Sequence, residues 1–203
     1  MTTWIDTPEG GRDRGPRALV RAWIEVLVRP RRFFVSAIAP ADQAPALFFA
    51  MAVAATSIGG LFLAVPSLPP TVAGSPLVGG AVLGGFLVLL VTPVTLHLTA
   101  AIGTIVLVVL APDRGGVSET VQLVGYASAP LALVSVPVAL VGVPVATAVW
   151  AGMAYAAGLL IVGIATRHRT GTVRAVLAAV PPVVFAGAVV TAVRVGNAVV
   201  FGG

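Results

Sequence analysis

Residues 43–112 read QAPALFFAMAVAATSIGGLFLAVPSLPPTVAGSPLVGGAVLGGFLVLLVTPVTLHLTAAIGTIVLVVLAP, 70 positions without one charged side chain. A helical crossing of about 30 Å of hydrocarbon takes about 20 apolar residues at a rise of about 1.5 Å each. The stretch therefore holds two crossings, and the turn-forming PSLPP at Pro66–Pro70 separates them. Two more charge-free runs follow, 47 residues between Glu119 and Arg167 and 19 between Arg174 and Arg194. The first holds two crossings joined by the tight VALVGVP turn, and the second holds one. The reading is five spans, at about 45–65, 77–111, 119–138, 145–166 and 176–200.

Composition agrees. Of 203 residues, 58% are hydrophobic and 9% charged, where soluble domains carry about a quarter charged. With a mean hydropathy of +1.06, no water-soluble core of this size could hide the apolar surface. A soluble enzyme, a disordered tail and a disulfide scaffold are excluded. The absence of Cys removes thiolate metal sites and cysteine nucleophiles. No segment alternates polar and apolar residues with period two, so a membrane barrel is excluded. The fold class is an all-α polytopic membrane bundle. The second span would be about 50 Å long as a straight helix, so it must tilt, kink at Pro93 or begin outside the hydrocarbon.

Arginine sets the expected orientation. Seven of twelve arginines precede residue 33, and five spans put Arg114, Arg167, Arg169 and Arg174 on the same side. Both opposite loops are uncharged, so the arginine-rich side reads as cytoplasmic and the C-terminus as outside. Residues 1–42 then form a cytoplasmic segment, and 43–203 the membrane domain. The opening residues are too charged and too long for a cleaved signal, so the first span serves as an uncleaved one. Twelve Arg, no Lys and heavy Ala, Val and Gly usage fit a GC-rich genome and a prokaryotic plasma membrane.

Within that segment, Arg17–Val28 (RALVRAWIEVLV) reads as an amphipathic interfacial helix. Arg17, Arg21 and Glu25 form one polar stripe, and Leu19, Val20, Trp23, Ile24 and Leu27 cover much of the rest. Pro30 ends it, and Arg31-Arg32 beside Phe33-Phe34 suits a headgroup interface. We expect this helix to lie on the inner leaflet, with Arg17, Arg21, Arg29, Arg31 and Arg32 holding anionic lipid rather than nucleic acid; the functional alternative is a docking helix for a partner. The preceding TPEGGRDRGP is expected to be flexible.

Ionisable groups inside spans are functional suspects, and few are present. His97 lies four residues after Pro93, nearly opposite the face shared by Thr92, Thr95, Thr99 and Gly103. On the structural reading, the threonines satisfy carbonyls freed by Pro93 and His97 is a neutral core residue. On the functional reading, His97 is a proton or substrate site. Glu119 follows Ser118 at the start of the third span and suits a helix N-terminus. Arg194 reaches the outer interface and can snorkel to phosphates. Gly80 and Gly84 form a GxxxG patch for internal packing or dimerisation. No paired carboxylates face each other at membrane depth, and no HExxH, GxSxG or phosphate-loop pattern occurs. An enzyme, a cofactor and a metal site are not expected.

Three stretches resemble the YIP family of membrane proteins, named for Ypt/Rab-interacting proteins. RPRRFF (Arg29–Phe34) is similar to its Pro-aromatic lead-in. GGVSETVQLVGYASAP (Gly115–Pro130) resembles its short polar loop and a helix with a Tyr and then a Pro, here Tyr126 and Pro130. VWAGMAYAAGLLIVGIATRHRTGTVRAVLAAVPP (Val149–Pro182) resembles its last helix pair and basic turn. The resemblance spans roughly residues 29–200 and implies five spans with a cytoplasmic N-terminus. The chain lacks the long polar N-terminal domain and the Asp-Leu-aromatic-Gly-Pro motif of the eukaryotic branch, which places the resemblance with the prokaryotic branch. The implied role is a non-enzymatic protein that organises membrane or partners, with a homo-oligomer or a membrane-protein partner as companion. The alternative is a small transporter, channel or lipid-handling protein using the Pro93/His97 break.

Overall fold

A computed structural model describes residues 15–111 and 114–201, with side chains through residue 196. The segment expected to be flexible lies largely outside the described residues. Among the described residues there are nine α-helices, α1 (Pro16–Val28), α2 (Pro30–Ser36), α3 (Ala44–Ala64), α4 (Pro76–Phe86), α5 (Thr92–Leu110), α6 (Val117–Ala127), α7 (Ser135–Val141), α8 (Val145–Arg167) and α9 (Thr172–Phe201). A π turn at Leu87–Val91 joins α4 to α5, and a 3-10 segment at Ala129–Leu133 links α6 to α7. Five helical stretches among the described residues are long and apolar enough to cross a membrane: α3, α4–α5, α6–α7, α8 and α9. Among the described residues there is no β-strand, only an isolated bridge between Val72 and Ser75.

Proline organises the helix starts. Pro16, Pro30, Pro45, Pro76, Pro93 and Pro130 all occupy the first or second position of a helix, where a missing N–H costs nothing. Pro93 does this inside a continuous span. It cannot donate to Leu89, and its ring crowds that carbonyl, so the backbone widens to a π turn just ahead of it. The backbone N–H and Oγ1 of Thr92 both donate to the Leu87 carbonyl, the latter at 2.9 Å. A widened turn thus accommodates the break at Pro93.

The third span changes pitch at Ala129–Leu133 rather than running as one α-helix. The carbonyl of Ala129 is taken up at 2.9 Å by Trp23 Nε1 from α1. Tyr155 of α8 donates to the Leu27 carbonyl at 2.8 Å. These two bonds set the height of α1. Ala129 is twelve residues along its span from Val117, and Tyr155 twelve residues before Arg167, so both lie about 18 Å from the arginine-rich end. The amphipathic helix therefore packs partway up the bundle, not across its end. It buries Ala18, Ala22 and Val26, small residues that allow close approach, and leaves Val20, Ile24 and Val28 exposed.

The core lies below this collar. Phe33 and Phe34 of α2, Phe49 of α3, Leu107 of α5, Leu123 and Tyr126 of α6 and Ile164 of α8 are all buried. Phe33 and Phe49 meet the Tyr126 ring edge-to-face at centroid distances of 4.9 and 5.1 Å, a favoured aromatic arrangement. Gly163 admits Phe34 and Leu123 against its bare backbone, and Gly125 does the same for Ala46.

Candidate functional site

The polar side chains that matter converge at the arginine-rich end, where the loop before α6 meets the turn between α8 and α9. Glu119 sits in the first turn of α6, whose N-cap is Gly116 rather than Ser118. Its carboxylate receives a two-pronged bond from Arg167: Nε donates to Oε2 at 3.0 Å and Nη2 to Oε1 at 2.8 Å. Such forked pairing fixes geometry as well as charge. It is also nearly enclosed, with 9% of the Glu119 and 26% of the Arg167 side chain exposed.

His168 caps α8 directly beneath this pair and is buried. The Gly115 backbone N–H donates to its Nδ1 at 3.0 Å. The ring proton therefore sits on Nε2, which points at Thr120 Oγ1 3.5 Å away. Burial holds the His168 pKa down, from 6.5 to about 4; Glu119 opposes this, and Arg167 and Arg114 reinforce it. The imidazole is neutral near pH 7 and acts as a hydrogen-bonded strut between two loops. Gly115 also lets the Glu119 carboxylate approach its backbone, where a Cβ would collide with it.

One turn deeper, buried Gln122 clamps the linker between α2 and α3. The Ala39 N–H donates to Gln122 Oε1 at 3.0 Å, and Gln122 Nε2 donates to the Ala39 carbonyl at 2.6 Å and to Ser118 O at 3.2 Å. Arg114, Gly115, Glu119, Arg167 and Arg169 together line an open cavity of about 470 Å³. Among the described residues no group of three or more His, Asp or Glu side chains could hold a metal ion.

The residues singled out from sequence do not form one site. Glu119, Tyr126 and Pro130 lie on the same buried span, with Glu119 in the polar cluster and Tyr126 in the aromatic core. Gly80 and Gly84 sit far up α4 and pack internally, 3.2 Å from Pro69 and 3.7 Å from Ile58 by their ideal Cβ positions. Arg194 is exposed near the other end of α9.

His97 departs from the structural reading offered for it. It is exposed, not a core residue; the residues α5 turns into the bundle are Leu96, Thr99, Ala100, Gly103, Thr104 and Leu107. Its Nδ1–H donates to the Pro93 carbonyl at 2.8 Å.

His168, Gln122, Arg167, Arg114 and the Trp23 and Tyr155 bonds were not singled out from sequence. Topology held a usable signal for two of them, Arg114 and Arg167. Glu119 begins the third span and Arg167 ends the fourth, so five-span counting already puts both at the same end.

The three stretches that carry the sequence resemblance also meet in space. Phe33 packs on Tyr126, and Phe34 on Gly163. The family model for the Yip1 domain matches residues 24–193, a range that includes all of these contacts. No curated protein and no solved structure shows a significant match.

Proposed function

Because the chain belongs to the Yip1-domain family and is an integral membrane protein, we propose that it acts without catalysis, by organising the lipid and the proteins around it. The height of α1 carries this reading. Exposed Arg17 and Arg21 lie on a helix anchored about 18 Å above the arginine-rich end, and exposed Arg29 follows its last residue. Arginine is costly in hydrocarbon, so headgroups must reach up to α1 on this flank. Elsewhere, α5 exposes Ile105, Val108 and Val109 almost to its last residue, which calls for hydrocarbon nearly to the end. One bundle thus asks for two boundary heights, and thinning costs only fractions of a kcal/mol per Å. The protein imposes a local step on the leaflet.

The orientation that fits is the arginine-rich end at the inner leaflet of a prokaryotic plasma membrane, with Arg17, Arg21, Arg29, Arg31 and Arg32 as the lipid contacts. The test is reconstitution into anionic vesicles. Wild-type protein should shift the vesicle population to smaller diameters, and Arg17→Leu/Arg21→Leu should abolish the shift. Equal diameters with and without protein would remove the reading.

A companion protein or second copy is supported by His97, a polar side chain on the outward face of a span. Transport has less support. His97 faces outward, and the Gly103 face is filled by Thr120 and Pro182, 3.6 and 3.7 Å from the ideal Cβ position.

A further inference from the structure

We propose that the arginine-lined cavity between the α5–α6 loop and the α8–α9 turn is a binding site for a phosphate group, carried by a lipid headgroup or by a free phosphate. Among the described residues its lining holds three guanidinium groups, Arg114, Arg167 and Arg169, against one carboxylate, that of Glu119. Both oxygens of that carboxylate are already engaged by Arg167 Nε and Nη2. The repulsion it could offer an anion is thereby neutralised, and Arg114 and Arg169 remain in excess. Neutral His168 beneath the cavity adds no positive charge of its own.

Three further observations indicate preparation for a ligand. Arg114 Nε is shielded from solvent and, among the described residues, has no hydrogen-bond partner; Thr170 Oγ1 in the adjoining turn is in the same state. Buried donors left unpaired are costly and rare. Arg169 holds a left-handed backbone with φ of 49°, a conformation disfavoured for a residue with a Cβ, in the turn that places it at the cavity. Gly115 also lines the cavity, at a position with no room for a side chain, and the positive end of the α6 dipole lies beside it.

Planar guanidinium forks match phosphate oxygens. The volume of about 470 Å³ falls within the roughly 300–1,000 Å³ typical of small-molecule sites. It therefore has room for the group that bears the phosphate.

The experiment uses full-length protein in phosphatidylcholine nanodiscs, titrated with inorganic phosphate by calorimetry. In parallel, the protein is reconstituted in mixed phosphatidylcholine and phosphatidylglycerol, and lipid retained through purification is quantified by mass spectrometry. The variants are Arg114→Gln, Arg169→Gln and, as control at the other end, Arg194→Gln. Saturable binding in at least one arm is expected, weakened tenfold or more by each of the first two substitutions and unchanged by the third. A loss in the phosphate titration assigns a soluble source, and a loss confined to phosphatidylglycerol retention assigns a lipid. Arg169 is exposed, so its variant reads the site even if Arg114→Gln folds poorly. Binding in neither arm, binding indifferent to both substitutions, or an equal loss in Arg194→Gln overturns the proposal.

Discussion

The arginine-rich end and the second span are built on opposite plans. At the former, α6 buries all but one residue from Glu119 to Ala127 and fastens its neighbours through Glu119, Gln122 and the His168 strut. The second span, α4 through α5, is the longest of the five and the most exposed along its apolar window. Its polar side chains Thr92 and His97 bond to their own backbone. Long-range polar contacts therefore specify which helices assemble, whereas local ones keep a single helix intact at a proline. Substitutions should be felt in proportion to that difference.

Acid provides the largest expected effect. His168 is neutral in the fold with a pKa of about 4, against 6.5 when unfolded. Because the unfolded chain binds the extra proton first, stability is full above pH 6.5 and falls as pH drops towards 4. The loss reaches about 3 kcal/mol at the bottom of that window. Thermal unfolding in detergent across this range should show the slope, and His168→Asn should flatten it. An unchanged slope would show that His168 is not the group responsible.

Next comes Glu119→Ala. Removing one partner of a fully buried pair costs about 3–5 kcal/mol; since Arg167 retains 26% exposure, about 2 kcal/mol is expected. Arg167→Ala alone and the double variant complete the cycle, and additive costs would mean the fork contributes no coupling. Smaller still is Trp23→Phe, which frees the Ala129 carbonyl at a cost of about 1 kcal/mol. It should also raise proteolytic cleavage around α1, and unaltered cleavage would mean that Trp23 does not hold the helix. At the far end of the scale, His97→Leu should change stability by less than about 0.5 kcal/mol. A cost as large as that of Glu119→Ala would erase the contrast between the two regions.

What could be read in advance follows the range of the interactions involved. Five spans and an amphipathic helix were legible because charges are absent from long runs and recur with helical spacing in one short run. That His97 points away from Thr95, Thr99 and Gly103 was legible from their spacing. Its assignment to the core failed because periodicity says which residues share a face, not which face a neighbour covers. The height of α1 was hidden for a related reason. It depends on Trp23 meeting a carbonyl 106 positions away, at a change of pitch that Pro130 marks but does not predict in depth. The Glu119–Arg167 pair, 48 positions apart, lay within reach of topology, but its burial and the strut beneath it required coordinates.

The central claim is that α1 sets a raised lipid boundary on one flank only. A cryo-EM map of the protein in an anionic nanodisc measures this directly, as the height of the headgroup density around the bundle. The account predicts headgroups drawn up to the level of Trp23 beside α1 while they stay near Val109 beside α5. A boundary of uniform height around the whole bundle would contradict it.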